Sequence, residues 1–401
     1  MQAVVVAAGE GTRMRPLTAN RPKPTLPVAG TPLVERVLDA AAPYVDGFVL
    51  VVGYRDEVIR ELVGDSYRGQ PVEYVEQTEQ LGTAHAVGTA AEAVDGRFLV
   101  LNGDVVVTDE LVSGLVEAGG TAVATKPVDD PSNYGVVSHE NGRLTELVEK
   151  PSDPPSNLAN LGLYAFEESA FDAIERTELS ERGEYEITDA IGHLLADGED
   201  VSVVEYDGPW LDVGRPWELL SATETLLEGL EGRVDGAVED GATLSGPVVV
   251  EDGARVRDGA YIEGPVVVQS GADVGPNCFV RGATVVGPDV RVGNAVEVKN
   301  SVLMRGTNVA HHAYVGDSVL GQDVNFGAGT KVANLRHDDE NVRVTVKGER
   351  VDTGRRKFGV VCGDEAKTGI NSSLNAGVVL GAGATSKPGE AVLKDRYSET
   401  G

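Results

Sequence analysis

The sequence predicts two architectures in series: a doubly wound α/β sheet over residues 1–228, then, past a short linker at 229–236, a parallel β-helix over 237–401. Three observations carry this expectation. Val-rich runs alternate with helical stretches from Gln2 to about Leu226. From Val238 the apolar period becomes six, which no helix has and a three-sided β-coil does. Glycine, at 50 of 401 residues against a usual share of about 7%, is concentrated in that second half.

In the first half QAVVVA reads as a buried parallel strand, 32–42 as a helix, GFVLVV (47–52) as a second strand and 55–63 as a helix. Strand PVEYV, an Ala-rich helix over 83–94 and strand RFLVLN (97–102) continue the pattern. Such alternation gives a sheet covered on both faces, whose ligands sit beyond the carboxyl ends of the strands. The loop after the first strand and the loop after LVLNGD lie there.

In the second half Val238, Leu244, Val250, Val256, Ile262, Val268, Val274, Val280, Val286, Val292 and Val298 hold one phase without a miss. Each hexad makes one flat side with its branched residue inward, and three sides make a coil of about 18 residues. Gly241, Gly253, Gly259, Gly271 and Gly287 are expected at corners needing positive φ. The register slips near Met304–Val309, and a polar segment, 335–358, is expected to protrude as a hairpin before hexads return.

Composition narrows the function classes. There are 64 acidic and 34 basic residues, a net charge of −30, and the acid is spread along the whole chain. That surface suits a salt-rich, halophilic cytoplasm and disfavours nucleic-acid binding, as no basic stripe interleaved with aromatics occurs. No apolar run reaches membrane-spanning length and the start lacks a secretory layout, so a cytoplasmic protein without membrane attachment is expected. Two cysteines, Cys278 and Cys362, are too few for a disulfide scaffold or sulfur metal site.

Against this charge, Arg13, Arg15, Arg21 and Lys23 cluster in GEGTRMRPLTANRPKP, directly after the first strand, with only Glu10 opposing them. Gly9 and Gly11 let backbone N–H groups approach a phosphate, and Arg and Lys add a fork and a point charge. The loop therefore reads as the holder of a nucleoside triphosphate. Asp104 in LNGD and Asp212 in WLDVG are carboxylates from distant loops which, with triphosphate oxygens, would hold Mg²⁺. A rival reading makes Asp104 a helix cap.

Together GEGTRMRP with RPKPTLPVAG, QLGTAHA, LNGD, VEKP and WLDVG resemble the sugar-1-phosphate nucleotidyltransferase family over residues 1–220. The resemblance implies a Rossmann-like domain in which a sugar phosphate attacks the α-phosphorus of the triphosphate, releasing pyrophosphate. It implies catalytic Arg13 and Lys23, nucleotide contacts from Ala8, Gly9, Gly11, Thr12, Gln77, Gly82 and Thr83, and metal ligands Asp104 and Asp212. Gly135, Glu149, Lys150, Asn160 and Gly162 match the sugar-phosphate pocket, although Glu149–Lys150 also reads as a surface pair.

The stretch HHAYVGDSVLGQDVNFGAGTKVANL (311–335) resembles the acetyltransferase site of bifunctional N-acetylglucosamine-1-phosphate uridylyltransferases, built on a left-handed hexapeptide-repeat β-helix. On that likeness His311 is the base that takes a proton from the amine of glucosamine 1-phosphate, with acetyl-CoA as co-substrate. Tyr314 and Asn334 position substrate or base, and Ala328 lies beside the thioester. The chain departs after the Asn, where Leu335, Arg336 and His337 stand, a layout similar to archaeal members of the group. Arg336, Arg355, Arg356 and Lys357 then become candidates for the substrate phosphate. A homotrimer, with the acyl site between subunits, follows from the resemblance alone. UTP and dTTP stay equally open, as does the sugar. Two rivals remain at this point: a monofunctional glucose-1-phosphate thymidylyl- or uridylyltransferase using the β-helix for assembly, and a non-catalytic regulatory scaffold.

Overall fold

The computed structural model describes residues 1–398 and divides by contacts into two compact units. One comprises 1–10, 22–25 and 33–212; the other comprises 11–21, 26–32 and 213–401, so packing assigns part of the first loop and the segment around helix Pro216–Leu227 to the second unit.

The first unit is built on a ten-stranded sheet. Its centre is parallel: Gln2–Val6 lies between Gly47–Val52 and Phe98–Asn102, with Gln70–Glu76 outside Gly47–Val52. The three central strands are buried on both faces, which is why they read as unbroken Val/Leu runs rather than alternations, whereas the outer Gln70–Glu76 alternates. The sheet is mixed rather than wholly parallel, because Leu158–Phe166 runs antiparallel between Phe98–Asn102 and Ala122–Pro127. The expected helix over 83–94 is shorter: Thr83–Gly88 is α-helical and Ala91–Ala93 a 3₁₀ turn.

Strand Val105–Val106 pairs antiparallel with Leu211–Asp212, setting Asp212 opposite Val105. This two-residue ladder brings together loops that the sequence separates by more than a hundred positions.

The second unit contains three parallel sheets of eight, seven and eight strands, the sides of a β-helix. The predicted hexad phase is its core: from Val250 to Val298 every phased residue is fully buried. Coils advance by 18 residues, as in Val248↔Val266, until Val285 pairs with Val302, a step of 17. The slip therefore falls before Leu303, slightly earlier than expected, at a corner one residue shorter. Val319 then pairs with Val361, the longer step being the segment 335–358. That segment forms the hairpin Arg343–Val346 and Glu349–Asp352, but it does not simply protrude. Val342 and Val344 are buried and Arg350 donates to the Gly377 carbonyl at 3.2 Å, because the hairpin must bury its apolar face.

The corner glycines divide into two kinds. Gly253, Gly259 and Gly271 have positive φ, as expected. Gly241 and Gly287 do not; they are small because the next coil is close, a Cβ on Gly287 falling 2.5 Å from the Leu303 carbonyl oxygen. Gly287→Ala should accordingly lower stability by about 1–3 kcal/mol through overpacking against backbone, read as a fall in the denaturation midpoint.

Candidate active sites

In the first unit the chain turns out of Gln2–Val6 into Ala8–Glu10. The Ala8 carbonyl is occupied, accepting from Gln80 Nε2 at 3.0 Å. Lys23 lies in the turn Lys23–Thr25 and is buried, only 6% exposed. Its ammonium is 2.6 Å from Asp104 Oδ2 and 3.6 Å from Asp212 Oδ1. A buried cation thus joins the two carboxylates that the ladder draws together. Asp104 is not a helix cap: Thr108 flanks the following helix, and its hydroxyl meets Tyr206 at 2.7 Å. Among the described residues no cluster of three or more His, Cys, Asp or Glu side chains is arranged as a metal site. Two carboxylates fit an ion that takes its other ligands from water and phosphate oxygens.

The segment QTEQLGT faces 180–187. Tyr185 N donates to the Leu81 carbonyl at 2.7 Å, Ala84 N donates to the Tyr185 carbonyl at 2.9 Å, and Thr83 Oγ1 accepts from Ile187 N at 3.1 Å. Gly82 is held so tightly, at φ 112°, that a Cβ would fall 2.5 Å from the Tyr185 carbonyl oxygen. Gln77 is buried, its amide nitrogen directed at the Gly82 carbonyl and His85 Nδ1.

Gly135, Glu149 and Asn160 converge, since Gly135 pairs with Glu149 in register and a Cβ there would sit 3.2 Å from Glu149 Oε2 and 3.3 Å from Asn160 Cβ. Arg182 Nη1 holds Glu149 Oε1 at 2.9 Å, and Arg182 also meets Glu184 and Glu186. Burial pushes the Glu186 carboxyl above its ordinary range, with Arg182 acting against it. Glu149 is therefore more than a surface partner of Lys150, whose ammonium is 3.4 Å away and largely exposed. Asn160 Nδ2 donates to the Tyr164 hydroxyl at 2.7 Å. Gly162, at φ 72°, sits against Asn102, whose Nδ2 would be 2.2 Å from a Cβ. Sequence reasoning missed Arg182, the 180–187 wall and Asn102; only Asn102 had a signal, standing inside LNGD.

In the second unit Gly11–Arg21 is folded by its own turns, with the Gly11 carbonyl accepting from Met14 N at 2.8 Å and Thr18 Oγ1 at 2.9 Å. Arg13 is exposed, its guanidinium lying against Gly214. Thr12 opens the 3₁₀ turn that carries it. Arg21 and Asp364 form a buried ion pair at 2.6 Å, which fastens this loop to a late coil of the β-helix.

On the β-helix, His311 ends strand Asn308–His311 and Tyr314 begins Tyr314–Gly316, on adjacent sides of the prism. His312 turns the corner at φ 51° rather than alternating along a strand. His311 is exposed. Asn334 Nδ2 donates to Asp317 Oδ2 at 2.5 Å and lies 3.2 Å from the Tyr314 hydroxyl. Buried Asp317, missed although it stands in the quoted GD pair, also accepts from Lys299 at 3.1 Å and Asn300 at 2.9 Å. Ala328 accepts from Asn371 N at 2.7 Å in the next coil. The basic candidates in the inserted segment are largely spent. Arg355 is bound to Glu224 and Ser221 of the 216–227 helix, Arg336 to Asp338 and Arg356 to Asp339, whereas Lys357 stays exposed. Arg355 is thus corrected from phosphate ligand to structural tie.

The profile of the nucleotidyl transferase family matches residues 2–229, and that described as the GMPPB C-terminal domain matches 262–380. The bifunctional protein GlmU of Methanocaldococcus jannaschii is 44% identical over 95% of this chain and 92% of its own. The bifunctional sugar-1-phosphate nucleotidylyltransferase/acetyltransferase of Sulfurisphaera tokodaii is 37% identical over 98% of each. A solved UDP-glucose pyrophosphorylase bound to UDP-glucose superposes with TM-score 0.52 at 25% identity, covering 56% of this chain and 97% of that one.

The Gly162–Asn102 contact yields an expectation. On the reading that places Gly162 in the sugar-phosphate pocket, Gly162→Ala should raise KM for the sugar phosphate about 10-fold or more, since a Cβ both strains the backbone and displaces Asn102, while KM for the nucleotide changes little. Initial-rate kinetics varying each substrate checks it.

Proposed function

The chain belongs to the nucleotidyl transferase family, in the company of bifunctional sugar-1-phosphate nucleotidylyltransferase/acetyltransferases, and from that premise we propose both activities and their residues. The N-terminal chemistry is nucleotidyl transfer from UTP, or dTTP, to N-acetylglucosamine 1-phosphate. A phosphate oxygen of the sugar attacks the α-phosphorus, the bond to the β-phosphate oxygen breaks, and pyrophosphate leaves. The observation that carries this reading is the meeting of Lys23, Asp104 and Asp212.

Phosphoryl chemistry of this kind asks mainly for positioning and charge neutralisation. Lys23 is a cation held immobile by burial and by carboxylates. Arg13 adds a fork for phosphate oxygens, and Ala8, Gly9, Gly11 and Thr12 are assigned to offer backbone groups to the triphosphate. Asp104 and Asp212 would hold Mg²⁺, which when bound neutralises triphosphate charge. Gln77 reads the base beside Gly82 and Thr83. Glu149 offers Oε2, which has no partner among the described residues, to sugar hydroxyls, with Asn160 and Gly162 beside it and Lys150 toward the sugar phosphate.

The C-terminal chemistry is N-acetylation of glucosamine 1-phosphate. The amine attacks the acetyl-CoA thioester, the C–S bond breaks, and the amine proton taken by His311 is passed to the departing sulfur, so that CoA leaves as the thiol. Tyr314 and Asn334, braced by Asp317, form the polar wall, and Ala328 lies by the thioester. His311 stands exposed around a corner from that wall, so we propose a homotrimer in which a neighbouring copy completes the site.

With Mg²⁺, UTP and N-acetylglucosamine 1-phosphate the parent protein should release pyrophosphate. Asp104→Asn should reduce that release at least about 100-fold and leave CoA release intact. His311→Ala should do the reverse, lowering acetyl transfer about 100-fold. Parallel loss of both activities in a folded single variant would refute two independent sites.

A further inference from the structure

We propose that His85 is a specificity-determining positioning residue: by fixing the carboxamide of Gln77 it makes the nucleotide site select bases that carry a ring N–H donor. The inference rests on the reading of Gln77 as the base contact and extends it to a residue with no base-reading role assigned above.

Gln77 follows strand Gln70–Glu76 and is 5% exposed. Its Nε2 lies 3.3 Å from the Gly82 carbonyl oxygen and 2.9 Å from His85 Nδ1. A carbonyl oxygen only accepts, so the amide atom facing Gly82 is the nitrogen. The amide therefore donates one hydrogen to Gly82. Its second meets His85 Nδ1, which must be the lone-pair nitrogen, so the ring proton is on Nε2. Both donors of Gln77 are consumed by the protein. Its Oε1 has no hydrogen-bond partner among the described residues and is not sealed from solvent, so its lone pairs remain available to a ligand.

The residue thus presents an acceptor alone. A uracil or thymine ring offers N3–H to such an oxygen. Cytosine offers a lone pair at N3 and meets it with repulsion. The shorter of the two contacts holding this orientation is the one to His85. His85 is itself held, in helix Thr83–Gly88, with its ring 6.4 Å from that of Tyr185, whose backbone bonds at both Leu81 and Ala84. Without His85 only the longer contact to Gly82 resists rotation of the amide, and rotation exchanges the acceptor for a donor that suits cytosine.

The test compares kcat/KM for UTP and CTP, by pyrophosphate release with N-acetylglucosamine 1-phosphate, in the parent and in His85→Leu and His85→Phe. The parent should favour UTP strongly. Each variant should reduce the UTP:CTP ratio about 10-fold, the order expected for one lost orienting hydrogen bond, with the acetyl-transfer rate unchanged as a check on folding. A ratio equal to the parent's in a folded variant, even with both rates lowered, overturns the proposal and leaves His85 a packing residue. A parent that releases no pyrophosphate from either nucleotide overturns instead the reading of the site on which it rests.

Discussion

One buried ammonium organises the first unit. A chain of net charge −30 places Lys23 where two carboxylates from remote loops converge, and unpartnered those carboxylates would repel one another. The convergence is built by backbone, in the short ladder between Val105–Val106 and Leu211–Asp212, and stabilised by charge. It fixes one positive charge among two carboxylates in a buried position, set apart from the acidic surface.

Elsewhere in the first unit several candidate side chains are oriented by groups behind them. His85 and the Gly82 carbonyl fix Gln77, Arg182 fixes Glu149, and Tyr164 fixes Asn160. Burial pushes the Tyr164 phenol well above its ordinary titration range, so it stays a neutral hydrogen-bonding partner. On the β-helix Asp317 has the same office toward Asn334. A polar group held this way loses little freedom when a ligand binds, which is the physical gain of preorganisation.

The β-helix keeps its candidate site residues at corners. Its interior is a column of mainly branched side chains, and the departures from the hexad fall where the chain turns or leaves. The shortened corner before Leu303, the turn at His312 and the segment 335–358 are those departures, and His311, Tyr314 and Asn334 stand at or beside them. Beside the inserted hairpin Arg336, Arg355 and Arg356 are spent on ion pairs, and Arg355 binds the 216–227 helix where the sequence suggested a phosphate ligand.

The sequence alone determined the two periods and hence the two architectures, because strand alternation and the inward hexad residue are local properties of the chain. It also exposed a cationic cluster against an acidic background, visible without coordinates, and the family likeness suggested roles for most of the candidate site residues. It could not show that Lys23 bridges Asp104 and Asp212, that Arg182 faces Glu149, or that Arg21 is buried on Asp364, since each pairing joins segments far apart in the chain. Nor could it tell a corner glycine needed for positive φ from Gly287, which is small because another coil passes close. Those distinctions depend on what lies across a contact, and only the tertiary structure decides that.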